Sequence, residues 1–204
     1  MSEIWAIILA AGESKRMKTP KMLLPYHGTT IIERVVQNVL DSNVDNTVVV
    51  LGSEKNKILK VIGNMPVKNC YNENFDQGML SSVICGFKSL PEDFGAALVI
   101  LGDQPGIGPE IINEIIDAYR KSGKGIIIPV YNKRRGHPLL VDFKYMEEIY
   151  KLDMKEGLRS LAGRCQDDLL EVALATSDIL WDIDTPEDYK NALKGNTKCG
   201  KEYE

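Results

Sequence analysis

The chain has 204 residues, 44% hydrophobic and 26% charged, with a formal net charge of −4 and a pI near 5.4. That length suffices for one domain with a proper core and no staples, and the composition excludes a disordered, collagenous or disulfide-scaffold chain. A mildly acidic chain has no general attraction for nucleic acid, although a nucleotide needs only a local basic pocket.

The first predicted element is the apolar run IWAIIL (4–9), whose lack of alternation suits a strand buried on both faces. No basic residue precedes it and charge follows directly, so it does not read as a signal peptide. Nothing approaches the ~20 apolar residues of a membrane helix, and the expected setting is a reducing cytoplasm. The exit segment, LAAGESKRMKTPKMLLP, carries Lys15, Arg16, Lys18 and Lys21, four cations within seven residues opposed only by Glu13. Ala10, Ala11 and Gly12 are small, so backbone N–H groups can approach an anion closely. The pattern suits the roughly four negative charges of a nucleoside triphosphate; the plainer alternative is a solvated basic loop. Neither a P-loop nor a dinucleotide fingerprint is present.

Thr30-Ile-Ile-Glu33 predicts a capping box opening a helix with Ile31, Ile32, Val35, Val36, Val39 and Leu40 on its apolar side. TVVVLG (47–52) predicts a second strand. NENFDQGMLSSV (72–83) reads as a polar loop entering a helix, where Ser81 and Ser82 cap it or Gln77, Gly78 and Ser82 donate to a base or ribose. AALVILG (96–102) predicts a third strand, with Asp103 just past its carboxyl end. A carboxylate there suits Mg²⁺, which takes one or two carboxylates plus substrate phosphates; a turn aspartate before Pro105 is the alternative.

Pro109 predicts the start of a helix burying Ile111, Ile112, Ile115, Ile116 and Tyr119, and GIIIPV (125–130) a fourth strand. In NKRRGHPLLV, Gly136-His137-Pro138 makes a tight connection into a short apolar run, and Arg134 and Arg135 could meet an anionic acceptor. In LWDIDTPEDY, extended backbone sets Trp181 and Ile183 on one face and Asp182 and Asp184 on the other. These aspartates are either edge charges or, with Asp103, metal ligands, Asp184 being favoured as nearest the strand end. Thr185 and Pro186 open a last helix. Cys70, Cys85, Cys165 and Cys199 form no CxxC pair, and with only His27 and His137 a zinc site is not expected. The β-α alternation predicts one α/β domain over 1–194, with a mostly parallel open sheet and helices on both faces, and a flexible tail at 195–204.

LAAGESKRM, then Lys21 with LLP, GDQP, RGHPLL and DIDTPEDY occur in an order that resembles the molybdenum cofactor cytidylyltransferases, within the nucleotidyltransferases of Rossmann-like fold. The resemblance runs from Ile4 to Leu193. LAAG rather than LAGG favours the cytidylyl over the guanylyl branch, since a smaller residue there leaves more room for a purine. The resemblance implies that Arg16 and Lys21 bind triphosphate, that Asp103 and Asp184 bind Mg²⁺, and that Arg16, Lys21 and Asp103 carry catalysis. It further implies that Leu9, Ala10, Ala11 and Gly12 line the nucleotide, that Gln77, Gly78, Ser81 and Ser82 lie near the base, and that His137 in RGHPLL faces the acceptor. One departure is Lys18, where the family usually has glycine.

The activity implied is transfer of CMP from CTP to the terminal phosphate of the molybdopterin form of the molybdenum cofactor, with release of pyrophosphate. Delivery to a molybdenum hydroxylase apo-enzyme is implied in the same way; nucleic acid and membrane partners are not expected. The alternatives are a guanylyl or sugar- or polyol-phosphate transferase of the same superfamily, and a non-catalytic carrier of the finished cofactor.

Overall fold

A computed structural model of the protein describes residues 3–17 and 19–195. Its strands are β1 (Ile4–Ala10), β2 (Pro25–Tyr26), β3 (Thr29–Thr30), β4 (Asn46–Leu51), β5 (Lys68–Tyr71), β6 (Ala96–Leu101), β7 (Ile126–Tyr131), β8 (Arg134–Arg135), β9 (Leu139–Asp142) and β10 (Leu169–Ala173). The α-helices are α1 (Ile31–Leu40), α2 (Lys55–Ile62), α3 (Met79–Lys88), α4 (Pro109–Ser122), α5 (Met146–Tyr150), α6 (Leu158–Arg164) and α7 (Pro186–Leu193).

The main sheet runs β10-β7-β9-β6-β1-β4-β5, with β8 paired to β7. β1 pairs parallel with both β4 and β6, β4 with β5, and β7 with β10. β9 runs antiparallel between β6 and β7, so the sheet is mostly parallel. The four apolar runs all form strands. β5 and β10 lie at the sheet's two edges and carry exposed residues such as Lys68 and Glu171, so neither shows the continuous apolar run that marks a central strand.

All seven residues of β1 are buried. Ile4, Ala6, Ile8 and Ala10 face one core, with Ile32, Val36, Ile58 and Ile115 from α1, α2 and α4. Trp5, Ile7 and Leu9 face the other, with Val83, Phe87, Ile149 and Leu161 from α3, α5 and α6. Each such isoleucine or leucine removed from water contributes ~1.5–3 kcal/mol, which fixes β1 as the central strand.

The helix starts follow their side chains. Thr30 accepts from the Glu33 N–H while the Glu33 carboxylate accepts from the Thr30 N–H, a complete capping box. Thr185 and Asp188 repeat it at α7, with Pro186 in the first turn. α4 opens on Pro109 and closes at Gly123 in the left-handed region (φ 67). The predicted tail lies, apart from Gly195, outside the described residues.

Candidate active site

Register places the exits of three strands side by side: Ala10 stands opposite Leu51, and Leu9 opposite Leu101. The segments leaving these strands therefore meet at one edge of the sheet, beyond the carboxyl ends, where open α/β sheets bind ligands. Two glycines permit the approach. A side chain on Gly52 would overlap the Ala11 carbonyl oxygen. A Cβ on Gly102 would come 2.8 Å from the Leu9 carbonyl oxygen, to which the Gly102 N–H donates at 3.0 Å. The Ser53 hydroxyl and N–H tie down the carbonyls of Gly12 and Ala11 at 3.0 and 3.2 Å.

The loop after β1 folds back on Ser14, which adopts φ 53 and whose hydroxyl accepts from the Lys21 N–H at 3.2 Å. This turn brings Lys21 under the loop, 9% exposed. Its ammonium bridges Asp103 and Asp184, with the Asp184 Oδ1 at 2.7 Å. The Arg16 guanidinium lies 2.8 Å from the other Asp184 oxygen. Burial opposes the charge on Lys21, but Asp103 and Asp184 outweigh it and hold the ammonium above the ordinary lysine range. Burial likewise opposes the charge on Asp184, and hydrogen bonding and charge from Lys21, with Asp182 and Arg16 adding to them, hold its carboxyl below the ordinary value. Both groups are therefore ionised at neutral pH.

A single backbone bond recruits the segment before α7. The Ile183 N–H donates to the Asp103 carbonyl at 3.1 Å. Trp181 and Ile183 then bury against Ile31 in a separate apolar cluster, which turns Asp182 and Asp184 toward the cleft, as the alternation predicts. One oxygen from each of Asp103, Asp182 and Asp184 falls within 4.8 Å of the others. The donor set is all carboxylate oxygen, which fits a hard divalent cation such as Mg²⁺ and not a thiolate- or imidazole-seeking metal. Asp182 is as much part of this group as Asp184; the strand end expected to favour Asp184 does not form, because residues 181–184 are irregular chain between a 3-10 turn and α7.

The cleft has a volume of about 540 Å³, within the range of small-molecule sites. Leu9, Ala11, Gly12, Arg16, Lys21, Gly78, Ser82, Asp103 and Asp184 all line it. Ser14, Phe75, Asp76 and Met79 also line it, and sequence reasoning passed them over. Gly78 (φ 103) turns the chain into α3, and Phe75 and Met79 flank that turn. The sequence signal for them was the loop itself, polar and Gly-containing at a helix entrance.

Other expected residues sit elsewhere. Ala10 belongs to the core. Ser81 is a brace: its single hydroxyl proton is shared between the carbonyls of Asn74 and Gly78, both at 2.8 Å, and its oxygen accepts from the buried Asn72 amide, which also donates to Ser82 at 3.0 Å. Neither serine caps α3, whose N-cap is Gly78. Gln77 is exposed, its amide donating to Asn74 at 3.3 Å. Arg135 pairs with Glu171 at 2.7 Å on the outer edge of the sheet. His137, expected to face the acceptor, is not among the residues lining the cleft; its Nδ1 lies 3.4 Å from the Val99 carbonyl. Gly136 before it lies so close to Ile179 that a Cβ would overlap the Ile179 carbonyl oxygen, so part of the GHP turn is a packing requirement. The Lys18 departure lies outside the described residues.

Residues 6–169 match the family model of the MobA-like NTP transferase domain. The chain is 28% identical over 199 residues to a molybdenum cofactor cytidylyltransferase of Escherichia coli, covering 97% of this chain and 100% of the relative. It is 30% identical over 208 residues to a probable molybdenum cofactor guanylyltransferase of Natranaerobius thermophilus, covering 93% and 94%. The crystal structure of Rv0371c from Mycobacterium tuberculosis superposes with a TM-score of 0.86 at 25% identity, covering 95% of this chain and 98% of that one. Among the described residues no helix is long and apolar enough to cross a membrane. With two cations and three carboxylates gathered at the exits of parallel strands, the protein belongs to the MobA-like family and is a nucleotidyltransferase of Rossmann-like fold.

Proposed function

We propose that the protein transfers CMP from CTP to the terminal phosphate of the molybdopterin form of the molybdenum cofactor, in the cytoplasm, for delivery to a molybdenum hydroxylase apo-enzyme. The observation that carries nucleotidyl transfer is the convergence of Lys21 and Arg16 on Asp103 and Asp184 in one cleft. The choice of CTP is supported by the LAAG sequence at Leu9–Gly12 and by the similarity to the Escherichia coli cytidylyltransferase across its full length.

In this reading an oxygen of the acceptor phosphate attacks the α-phosphorus of CTP. A new P–O bond forms, the bond to the β-phosphate bridge breaks, and its electron pair leaves with pyrophosphate. The nucleophile is already an anion, so no side chain has to remove a proton. What opposes reaction is repulsion between anions and the charge that grows on the leaving group, so positioning and charge neutralisation dominate catalysis. Lys21 is suited to this as a buried, ionised cation whose two carboxylate partners can be exchanged for phosphate oxygens. Arg16, more exposed, can leave Asp184 and follow the phosphates. Backbone N–H groups of the loop at Ala11 and Gly12 add dipoles toward the same charge. Asp103 and Asp184, with Asp182, would hold Mg²⁺, which supplies further neutralisation of the triphosphate when bound.

The test is pyrophosphate release from each of the four common ribonucleoside triphosphates with the molybdopterin-form cofactor as acceptor. Release from CTP alone supports the reading; release from GTP alone replaces it with guanylyl transfer. Cofactor binding without release from any triphosphate replaces it with a carrier.

A further inference from the structure

β5 is an edge strand paired with β4 alone, and the chain that leaves it returns as α3. α3 is firmly seated, since Gly86 lets it lie so close to β1 that a Cβ there would overlap the Ile7 side chain. Two contacts tie the edge strand to this helix. Asn72, whose N–H extends the ladder to the Leu51 carbonyl at 2.9 Å, donates from its side-chain amide to the Ser81 hydroxyl at 2.8 Å. One step further from the cleft, the Sγ atoms of Cys70 and Cys85 stand 3.7 Å apart.

The two contacts are in register. Cys70 and Asn72 share a face of extended chain, where side chains repeat every second residue. Ser81 and Cys85 share a face of the helix, being four residues apart. Both cysteines are free and half-buried, within reach of a small reagent, and neither lines the cleft. The chain between them nevertheless holds Phe75, Asp76, Gly78, Met79 and Ser82, the wall that this loop and helix give to the cleft.

We propose that Cys70 and Cys85 are an oxidation site: a disulfide between them, made by exchange with a low-molecular-weight disulfide, fastens the α3 wall of the cleft to the edge of the sheet. The inference goes beyond the nucleotidyl-transfer reading and does not depend on which triphosphate or acceptor the cleft takes. In the first step the Cys85 thiolate attacks one sulfur of the reagent, whose S–S bond breaks and releases one small thiolate. In the second, the Cys70 thiolate attacks the Cys85 sulfur of that mixed disulfide and expels the other small thiolate. The two protein thiols are oxidised, the reagent is reduced to two thiols, and the protons lost by the protein pass to the thiolates released. Burial, with the charge of a neighbouring Cys85 thiolate added, pushes the Cys70 thiol up to about 12. Cys85 is therefore the first to attack, and the reaction quickens as pH rises.

The test treats the reduced full chain with glutathione disulfide at mildly alkaline pH, blocks remaining thiols with iodoacetamide in denaturant, and maps unreduced peptides by mass spectrometry. A Cys165→Ser, Cys199→Ser double variant removes the other two thiols. The expected product in both proteins carries a Cys70–Cys85 cross-link and no iodoacetamide on either sulfur. Its Tm should lie roughly 6–12 °C above that of the reduced form, as closing a loop of this length implies. Amide hydrogen exchange over 72–82 should slow, and dithiothreitol should reverse both changes. Cys70→Ser should stop at a single glutathione adduct on Cys85. Alkylated Cys70 and Cys85 after treatment, or glutathione adducts on both without the internal bond, would overturn the site. A cross-link that leaves Tm and exchange over 72–82 unchanged would overturn the fastening of the wall.

Discussion

Lys21 and Asp184 lie 163 positions apart, and the ammonium of one donates to a carboxylate oxygen of the other at 2.7 Å. Between them the chain completes nearly the whole sheet, so the contact exists only once β1, β6 and the segment before α7 are in place. It joins the group suited to phosphates to the group suited to a cation, and each holds the other ionised. Binding of a magnesium–triphosphate complex would exchange this internal pairing for contacts of the same signs.

Lys21→Ala should therefore weaken binding of CTP with Mg²⁺ roughly 10- to 100-fold, the loss of one charge-assisted phosphate contact. Calorimetric titration measures it directly. An unchanged affinity would remove Lys21 from the phosphate site.

Asp103→Ala should keep its fold by circular dichroism and lose at least ~100-fold in Mg²⁺-dependent turnover, since it removes an electrostatic element from a preorganised site. Chelation of divalent cations should have the same effect on the wild type. Asp182→Asn should also lower turnover, because its carboxylate belongs to the same group of three; wild-type turnover would leave Asp103 and Asp184 as the working pair.

Gly52→Ala probes the floor of the nucleotide loop. The added Cβ would meet the Ala11 carbonyl oxygen, which is backbone and can yield only by moving the loop. Overpacking of this kind costs about 1–3 kcal/mol, so Tm should fall and CTP affinity with it. A variant with wild-type Tm and affinity would show that the loop does not depend on this approach.

Thr185→Ala removes the N-cap of α7, leaving the Asp188 N–H without its side-chain acceptor. Loss of such a cap costs about 1 kcal/mol. Urea denaturation should show that decrease with an unchanged slope.

The meeting of Arg16, Lys21 and Asp103 in one cleft was legible because parallel strands buried on both faces read as apolar runs and the loops leaving them meet at one edge, whereas Asp184, which follows no strand, was legible only through the alternation of LWDIDTPEDY. The pairing of Lys21 with both aspartates was not legible: it depends on the Ile183–Asp103 backbone bond, which no local pattern marks. Ser81 and Ser82 look alike in sequence and both accept from the buried Asn72 amide; they differ because the Ser81 hydroxyl turns to the Asn74 and Gly78 carbonyls while Ser82 lines the cleft. Phe75 and Met79 reach the cleft through the turn at Gly78, whose φ of 103 is set by tertiary context. β9 shows the same limit for the fold, because LLV marks a strand but not its direction.

The central claim is tested most directly by calorimetric titration of the purified protein with CTP, GTP, ATP and UTP, each with and without Mg²⁺. The account predicts selective binding of CTP that depends on Mg²⁺. Preference for GTP, or no binding of any triphosphate, would contradict it.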